Sequence, residues 1–140
     1  MLQILNVDES TYKAAYNFLC SVPSITDVDA DILNNGVIVI DDDKVIGSIS
    51  FELYDKKGLI RYFVFKKSLP NQVLRDLLVK LENNARALNI NRLVCVADNS
   101  QIEDLFKELN FSKIDSLIFI NEEKLSNTSF KSSSFLQKSI

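Results

Sequence analysis

The chain has 140 residues, a formal net charge of −3 and a sequence pI of about 5.0. That length suits one domain with its own hydrophobic core, and the slightly acidic charge argues against binding to duplex nucleic acid. Because the chain contains no histidine, histidine-based catalytic triads and zinc sites of cysteine and histidine are excluded. Cys20 and Cys95 stand in apolar contexts, and both are expected to be core residues.

Apolar runs in the sequence fall short of the roughly 20 residues that a membrane-spanning helix needs. The N-terminal residues carry acids and no basic segment, so they do not resemble a signal peptide. We therefore expect a cytoplasmic protein with no membrane partner and no bound metal.

The first third of the chain predicts a strand and two helices. Leu2–Val7 is short and apolar, as in a strand. Apolar residues then recur at helical spacing from Tyr12, where Asp8 or Ser10 is placed to cap the helix. A second, short helix is predicted over Thr26–Leu33.

The next segment predicts three antiparallel strands. They are rich in β-branched and aromatic residues, are separated by polar turns, and cover Gly36–Ile40, Val45–Tyr54 and Leu59–Phe65. Such short polar connections are typical of a meander.

The period then changes to that of a helix. Pro70 suits the first helical position, and apolar residues follow at intervals of three and four up to Leu88. The buried strand Leu93–Ala97 comes next. A helical crossover from Leu59–Phe65 to Leu93–Ala97 predicts that these two strands are parallel.

The last part predicts a helix and two strands. Ser100 and Glu103 form a capping box for the helix, and Asn110 suits a left-handed position at its end. Strands are predicted over Ile114–Ile120 and, as an edge strand, over Ser134–Leu136. An edge strand could pair with another chain, so a homodimer is possible.

This order of elements resembles the GNAT superfamily of N-acetyltransferases. The family pattern Asn-x-x-Ala-x-x-x-Tyr-x-x-x-Gly-Phe is matched in spacing by Asn99, Ile102, Phe106, Asn110 and Phe111. The segment Val45–Ser48 is similar to the start of the family's third strand. The resemblance implies one domain over residues 1–140, with a mixed α/β, mostly antiparallel sheet of six to seven strands and about four helices.

The resemblance also implies a reaction and a cofactor. Acetyl-CoA would donate its acetyl group directly to an amine of a small molecule or peptide, with its pantetheine held where Leu59–Phe65 and Leu93–Ala97 splay apart. The residues expected to bind the cofactor are Phe63, Val64, Phe65, Asn71, Gln72, Val73, Leu74, Arg75, Asn99 and Phe106.

The chain departs from the family where the coenzyme A pyrophosphate would bind. Leu69, Gln72 and Leu74 occupy the places of the family's Arg/Gln-x-x-Gly-x-Gly/Ala motif. The amides at the helix start, those of Asn71, Gln72 and Val73, are still expected to point towards the phosphates. Gln72 could block the phosphates or donate its side-chain amide to them. The nearby cations Lys66, Lys67 and Arg75 could pair with phosphate or simply face solvent.

The catalytic residues implied by the family are also altered. Phe106 stands where many members have a tyrosine acid, and it has no hydroxyl. Tyr54 and Tyr62 are possible substitutes. Tyr62 is the candidate acid, although a tyrosine in such a strand is more often a core or sheet-face residue. Glu52 is the candidate base, with plain solvent exposure as the alternative.

The family usually builds its acceptor site near the second predicted helix. Asp27, Asp29 and Asp31 lie there and could attract an amine, or could serve only as capping and solvated residues. Two other readings of the chain stay open. It could be a catalytically inactive GNAT-fold module that binds or regulates, or a different α/β domain with the same order of elements.

Overall fold

The computed structural model describes residues 2–23, 25, 27–54, 56–97, 99–114 and 134–140. These residues form seven strands and four helices, in the order β1 (Leu2–Asn6), α1 (Tyr12–Cys20), α2 (Ala30–Leu33), β2 (Val37–Asp41), β3 (Lys44–Tyr54), β4 (Lys57–Phe65), α3 (Asn71–Ala87), β5 (Arg92–Ala97), α4 (Ser100–Glu108), β6 (Ser112–Ile114) and β7 (Ser134–Ser139). The chain divides into two compact units. Unit 1 holds Met1–Glu52 and Ile60–Leu88, and unit 2 holds Leu53–Leu59 and Asn89–Ile140.

The seven strands of the described residues form one mixed sheet in the order β1-β2-β3-β4-β5-β7-β6. The pairs β1–β2, β2–β3, β5–β7 and β6–β7 are antiparallel, whereas β4 and β5 are parallel. The predicted fold class, with its single helical crossover between parallel strands, is therefore confirmed. The prediction that Ser134–Leu136 is an edge strand is wrong, because β7 bonds to β5 on one side and to β6 on the other.

The core of unit 1 packs α1 and α2 against the sheet. Its buried members are Val7, Ala15, Phe18, Leu19, Leu33 and Ile38. Ala15, Phe18 and Leu19 share one face of α1, as the helical spacing of the sequence predicts. Tyr62 and Val64 of β4 are half-buried and pack against the same cluster. The middle of β4 is therefore held by the hydrophobic core.

A tight turn joins β2 to β3. Asp42 and Asp43 adopt left-handed backbone conformations, with φ of 49° and 65°. Two successive left-handed residues match the twist of the flanking strands, and aspartate tolerates this conformation better than most residues do. Asp41 and Lys44 are paired across the turn. The predicted polar turn is thus confirmed.

The start of α1 differs in detail from the prediction. Thr11 is the N-terminal capping residue, rather than Asp8 or Ser10, and its side chain makes no capping hydrogen bond. The Asp8 carboxylate instead accepts hydrogen bonds from the Ser10 hydroxyl at 2.7 Å and the Ser10 amide at 2.9 Å. These bonds lower the pKa of Asp8.

Helix α2 is shorter than predicted. It begins at Ala30 rather than Thr26, because Asp29 caps it by accepting the amide hydrogen of Asp31 at 2.8 Å. Thr26 itself lies outside the described residues.

Helix α3 carries the predicted apolar stripe. Leu74, Leu77, Leu78, Leu81 and Ala85 are all buried. Two end residues differ from the prediction. Pro70 is the capping residue, with an extended ψ of 146°, and the helix begins at Asn71. Leu88 follows the helix and is 48% exposed, so it does not belong to the buried stripe.

Unit 2 contains the parallel pair and α4. The first residues of β4 pair with β5 in the register Lys57↔Arg92, Gly58↔Leu93 and Leu59↔Val94. Leu59, Val94 and Phe135 form its buried cluster. The predicted capping box at Ser100 is shifted by one residue, since Asn99 is the cap and accepts the amide hydrogen of Ile102 at 2.9 Å.

The end of α4 and the strands after it are partly as predicted. Asn110 has a φ of 73°, which confirms the left-handed position after the helix. Strand β6 covers Ser112–Ile114, and the remainder of the predicted strand, residues 115–120, lies outside the described residues.

The two cysteines have different surroundings. Cys95 is buried, as expected. Cys20 is exposed at the end of α1, so the prediction that it is a core residue is wrong. Helical spacing places it one turn after Tyr16, and a hydrogen bond with Cys20 raises the pKa of the exposed Tyr16.

Candidate functional site

Strand β4 contains a left-handed residue in its middle. Tyr62 has a φ of 54°, whereas a residue in a regular strand has a strongly negative φ. A left-handed residue within a strand breaks the alternation of the backbone at that point. The sequence reads as an uninterrupted apolar strand here and contains no signal for this turn.

The hydroxyl of Tyr62 is engaged with the segment before α2. It accepts a hydrogen bond from the backbone amide of Asp29 at 2.8 Å. It also lies 3.4 Å from the carbonyl oxygen of Asp27, to which it donates. The predicted acid is therefore brought beside two of the predicted acceptor residues, with its donor and acceptor both in use.

The carbonyl of Tyr62 is also held. The hydroxyl of Ser48 on β3 donates a hydrogen bond to the Tyr62 carbonyl oxygen at 2.6 Å. Ser48 is 1% exposed, so this bond is shielded from water. Ser48 was not predicted to be part of the site, because a serine within an apolar strand has no pattern that marks its partner.

The predicted base, Glu52, is part of an ion pair. Arg61 donates to a carboxylate oxygen of Glu52 at 2.5 Å. The Glu52 side chain is 27% exposed and that of Arg61 is 36% exposed. Glu52 is therefore neither fully solvated nor isolated. Arg61 was not singled out from the sequence, since its distance from Glu52 depends on the pairing of β3 with β4.

The predicted cofactor strand continues through Phe63, Val64 and Phe65, all half-buried. Phe63 and Phe65 meet edge to face, with ring centroids 4.9 Å apart. The ring of Phe65 covers Gly47 of β3 so closely that a Cβ atom at position 47 would lie only 2.2 Å from Cδ1 of the ring. Val64 packs the other way, against the core of unit 1.

The start of α3 lies after this strand. The amide of Val73 already donates to the carbonyl oxygen of Pro70 at 3.0 Å, so one of the three amides expected to face phosphate is in use. The amides of Asn71 and Gln72 come before it in the first turn of the helix.

The side chains at the start of α3 point in different directions. The Gln72 side chain donates to the carboxylate of Asp76 at 2.9 Å and so runs along the helix. This arrangement differs from the two predicted roles, in which Gln72 blocks phosphate or donates to it. Leu74 is buried in the apolar stripe of α3, and Arg75 is exposed.

The two lysines before α3 have partners within unit 1. The Lys66 ammonium lies 5.3 Å from the centre of the Phe18 ring. Lys67 donates to the carboxylate of Asp41 at 2.8 Å, which lowers the pKa of Asp41. Both lysines would have to leave these partners to meet a phosphate.

The predicted cofactor residues of unit 2 have structural roles there. The side chain of Asn99 caps α4. The Phe106 ring is 1% exposed and meets Phe111 edge to face, with centroids 5.0 Å apart. The ring at the position of the family's tyrosine acid is thus packed into the interior of unit 2.

Solved structures of acetyltransferases are similar to this chain. N-acetylglutamate synthase from Neisseria gonorrhoeae, complexed with coenzyme A and N-acetyl-glutamate, matches with a TM-score of 0.70 and 14% identity over 99% of this chain and 35% of that chain. A GNAT-family acetyltransferase from Staphylococcus aureus matches with a TM-score of 0.65 and 15% identity over 99% of both chains. The ribosomal-protein-alanine N-acetyltransferase from Escherichia coli matches with a TM-score of 0.66 and 13% identity over 100% of this chain and 94% of that chain.

These likenesses establish the class of structure. The chain has the GNAT fold, and it spans about a third of the length of the N-acetylglutamate synthase chain. No protein-family model matches the sequence. No curated protein sequence matches it significantly. Within the described ranges, none of the helices has the length and apolar character needed to cross a membrane.

Proposed function

We propose that this chain is a divergent member of the GNAT superfamily and an acetyl-CoA-dependent N-acetyltransferase. Its acceptor would be an amine of a small molecule or a peptide. The observation that carries the proposal is the left-handed turn at Tyr62 within a strand of a GNAT-fold sheet. A turn of this kind re-aims the backbone beside it, and fixed backbone donors are the groups that polarise a thioester carbonyl.

The chemistry divides among residues of unit 1. Negative charge develops on the carbonyl oxygen of the acetyl group during attack by the amine, and the backbone of β4 around the turn at Tyr62 would supply the donors that stabilise it. Glu52 would accept the amine proton once Arg61 shares or releases the Glu52 carboxylate. The thiol of coenzyme A, with an ordinary pKa of about 8.5, leaves as a thiolate with little assistance. This last property suits a site whose predicted acid, Tyr62, has its hydroxyl engaged with backbone groups.

The cofactor phosphates would lie at the start of α3. Its first amides and the positive end of the helix dipole favour an anion there, by about 0.3–1 kcal/mol at an exposed site. Arg75 is exposed one turn after Asn71 and would pair with phosphate oxygens on the solvent side.

Titration with acetyl-CoA tests the proposal. At a ligand concentration 100 times the dissociation constant, binding adds about 2.7 kcal/mol to the free energy of unfolding, which raises Tm by several degrees. We expect this shift with 1 mM acetyl-CoA, together with heat on calorimetric titration, and acetylation of at least one amine in a screen. Absence of both the thermal shift and the heat would refute the proposal.

A second function is favoured by one set of contacts. Glu52, Tyr62, Lys66, Lys67 and Gln72 all have protein partners in unit 1. Side chains that are already engaged within the protein suit a GNAT-fold module that binds acetyl-CoA or a partner without turnover. Tight binding of acetyl-CoA with no acetylation across the amine screen would select this function over the first.

A further inference from the structure

We propose that Tyr62 is a positioning residue that couples the segment 27–29 to the turn in β4. The segment would contribute to the acceptor site and the turn would hold the acetyl group, so a single side chain would set both halves of the active site. This inference rests on the proposed function for its meaning, but the coupling itself can be measured without any cofactor.

The turn in β4 needs an external restraint. A left-handed conformation costs a bulky residue roughly 1–3 kcal/mol, so it persists only where neighbouring groups hold it. Tyr62 has a φ of 54° and an aromatic side chain, which makes the conformation costly at this position. Relaxation to an ordinary extended conformation would change the direction of the peptide group between Tyr62 and Phe63.

The first restraint is the hydrogen bond from Ser48. Its hydroxyl lies 2.6 Å from the Tyr62 carbonyl oxygen, and Ser48 is almost fully buried. A buried hydrogen bond leaves an unsatisfied carbonyl when its donor is removed, which costs more than the bond itself contributes. Ser48 therefore acts on the backbone of the turn directly.

The second restraint is the side chain of Tyr62. Its hydroxyl receives the amide hydrogen of Asp29 at 2.8 Å and donates to the carbonyl oxygen of Asp27 at 3.4 Å. Asp29 in turn caps α2 by accepting the amide hydrogen of Asp31. A chain of hydrogen bonds thus runs from Ser48 through Tyr62 to the start of α2.

This chain of contacts assigns Tyr62 a role other than the predicted acid. A hydroxyl that donates to one backbone group and accepts from another holds a segment in place. Any ligand that rigidifies the turn would then also order the segment 27–29, since the two share one side chain. Acetyl-CoA and the acceptor would in this way favour each other's binding.

Amide hydrogen exchange, followed by NMR, tests the coupling. The variants are Ser48→Ala, which acts on the turn, and Tyr62→Phe, which removes only the hydroxyl. Ser50→Ala is the matched control, because Ser50 is equally buried in the same strand and its hydroxyl has no hydrogen-bond partner among the described residues.

In the free protein, we expect Ser48→Ala and Tyr62→Phe each to speed amide exchange both in β4 and at α2. The amides concerned are those of Phe63 and Val64 in β4, and those of Asp29 and Asp31 at α2. The expected change is about two- to tenfold, the range for loss of one hydrogen bond. Ser50→Ala should change neither group. The proposal would be overturned if Ser48→Ala changed exchange only in β4 and Tyr62→Phe changed it only at α2.

Addition of acetyl-CoA distinguishes coupling from a purely structural role of Tyr62, because only coupling predicts that the ligand changes amide exchange at α2. In the wild-type protein, acetyl-CoA should slow exchange at Asp29 and Asp31 as well as in β4. In Tyr62→Phe, it should slow exchange in β4 alone, with affinity retained within about threefold. Equal protection of both segments in Tyr62→Phe would refute the coupling. If acetyl-CoA fails to bind the wild-type protein, the proposed function fails, whereas exchange in the free protein still decides the coupling.

Discussion

Arg61 donates a hydrogen bond to the carboxylate of Glu52, so the proposed base is also one half of an ion pair. If Glu52 removes the amine proton, Glu52→Gln should lower the rate of acetyl transfer by at least about 100-fold, because general base catalysis contributes roughly 10²–10⁴-fold. The affinity for acetyl-CoA should be unchanged. Steady-state kinetics with an amine found by screening, and calorimetric titration, measure the two quantities.

Arg61→Gln is the control for the ion pair. Both variants break the same contact between half-exposed side chains, which should cost each of them roughly 1 kcal/mol or less in urea denaturation. Only Glu52→Gln removes the base. Equal losses of rate in the two variants would show that Glu52 matters through the ion pair alone.

Gln72 occupies the place of a glycine in the family motif, and its side chain bonds to Asp76 along α3. We expect Gln72→Gly to bind acetyl-CoA about two- to fivefold more tightly, because removal of Cβ lets phosphate approach the first amides of the helix more closely. Calorimetric titration well below Tm measures the affinity, since glycine also weakens a helix by up to about 1 kcal/mol.

Gln72→Ala separates the effect of removing Cβ from the effect of losing the hydrogen bond to Asp76. It removes the contact with Asp76 as completely as the glycine variant does, but it keeps Cβ. Its affinity should stay close to that of the wild-type protein. Tighter binding by both variants to the same degree would assign the effect to release of Asp76, and weaker binding by Gln72→Gly would contradict the prediction.

Local periodicity predicted most of the fold. The stripe from Val73 to Ala85 indicated a helix, and a helix between two strands required the parallel pair that the structure contains. The position of β7 between β5 and β6 could not be predicted, because the order of strands in a sheet depends on distant pairing.

The candidate site was predicted less well than the fold. Phe63, Val64 and Phe65 were placed correctly on a strand, since their pattern is local. The left-handed conformation of Tyr62 was not predicted, because aromatic residues favour regular strands and the restraint comes from Ser48 on a neighbouring strand. The ion pair of Glu52 with Arg61 likewise depends on the register between β3 and β4, which the hydrophobic pattern of the two strands does not specify.

The ion pair of Asp41 with Lys67 gives a dependence of stability on pH. Because the Lys67 hydrogen bond lowers the pKa of Asp41 in the folded state, the pair stabilises the protein above the unfolded-state pKa of about 3.9. This contribution is lost as pH falls through the lowered, folded-state pKa. We expect Asp41→Asn to reduce Tm slightly at pH 7 and to match the wild type near pH 2.

Lys67→Met serves as the control, since it removes the other partner of the same contact. Its difference in Tm from the wild type should follow the same course with pH, and both differences should shrink in 1 M salt, where the Debye length is about 3 Å. A difference for Asp41→Asn that stays constant from pH 7 to pH 2 would show that the carboxylate charge is not the cause.

The absence of a side chain at Gly47 permits the position of Phe65. A Cβ atom at position 47 would lie 2.2 Å from Cδ1 of the Phe65 ring, so Gly47→Ala must displace that ring or the two strands that carry these residues. We expect a loss of about 1–3 kcal/mol in the free energy of unfolding, as measured by urea denaturation, which is the usual cost of overpacking.

The double variant identifies the cause of that loss. Phe65→Leu alone should also destabilise the protein, because it leaves space over Gly47. If the ring is the obstacle, Gly47→Ala combined with Phe65→Leu should be more stable than the sum of the two single effects predicts, by at least about 0.5 kcal/mol. Strict additivity would mean that the methyl group of Gly47→Ala disturbs the backbone of β3 rather than the ring. In that case the close fit between β3 and the proposed cofactor strand would not depend on Phe65.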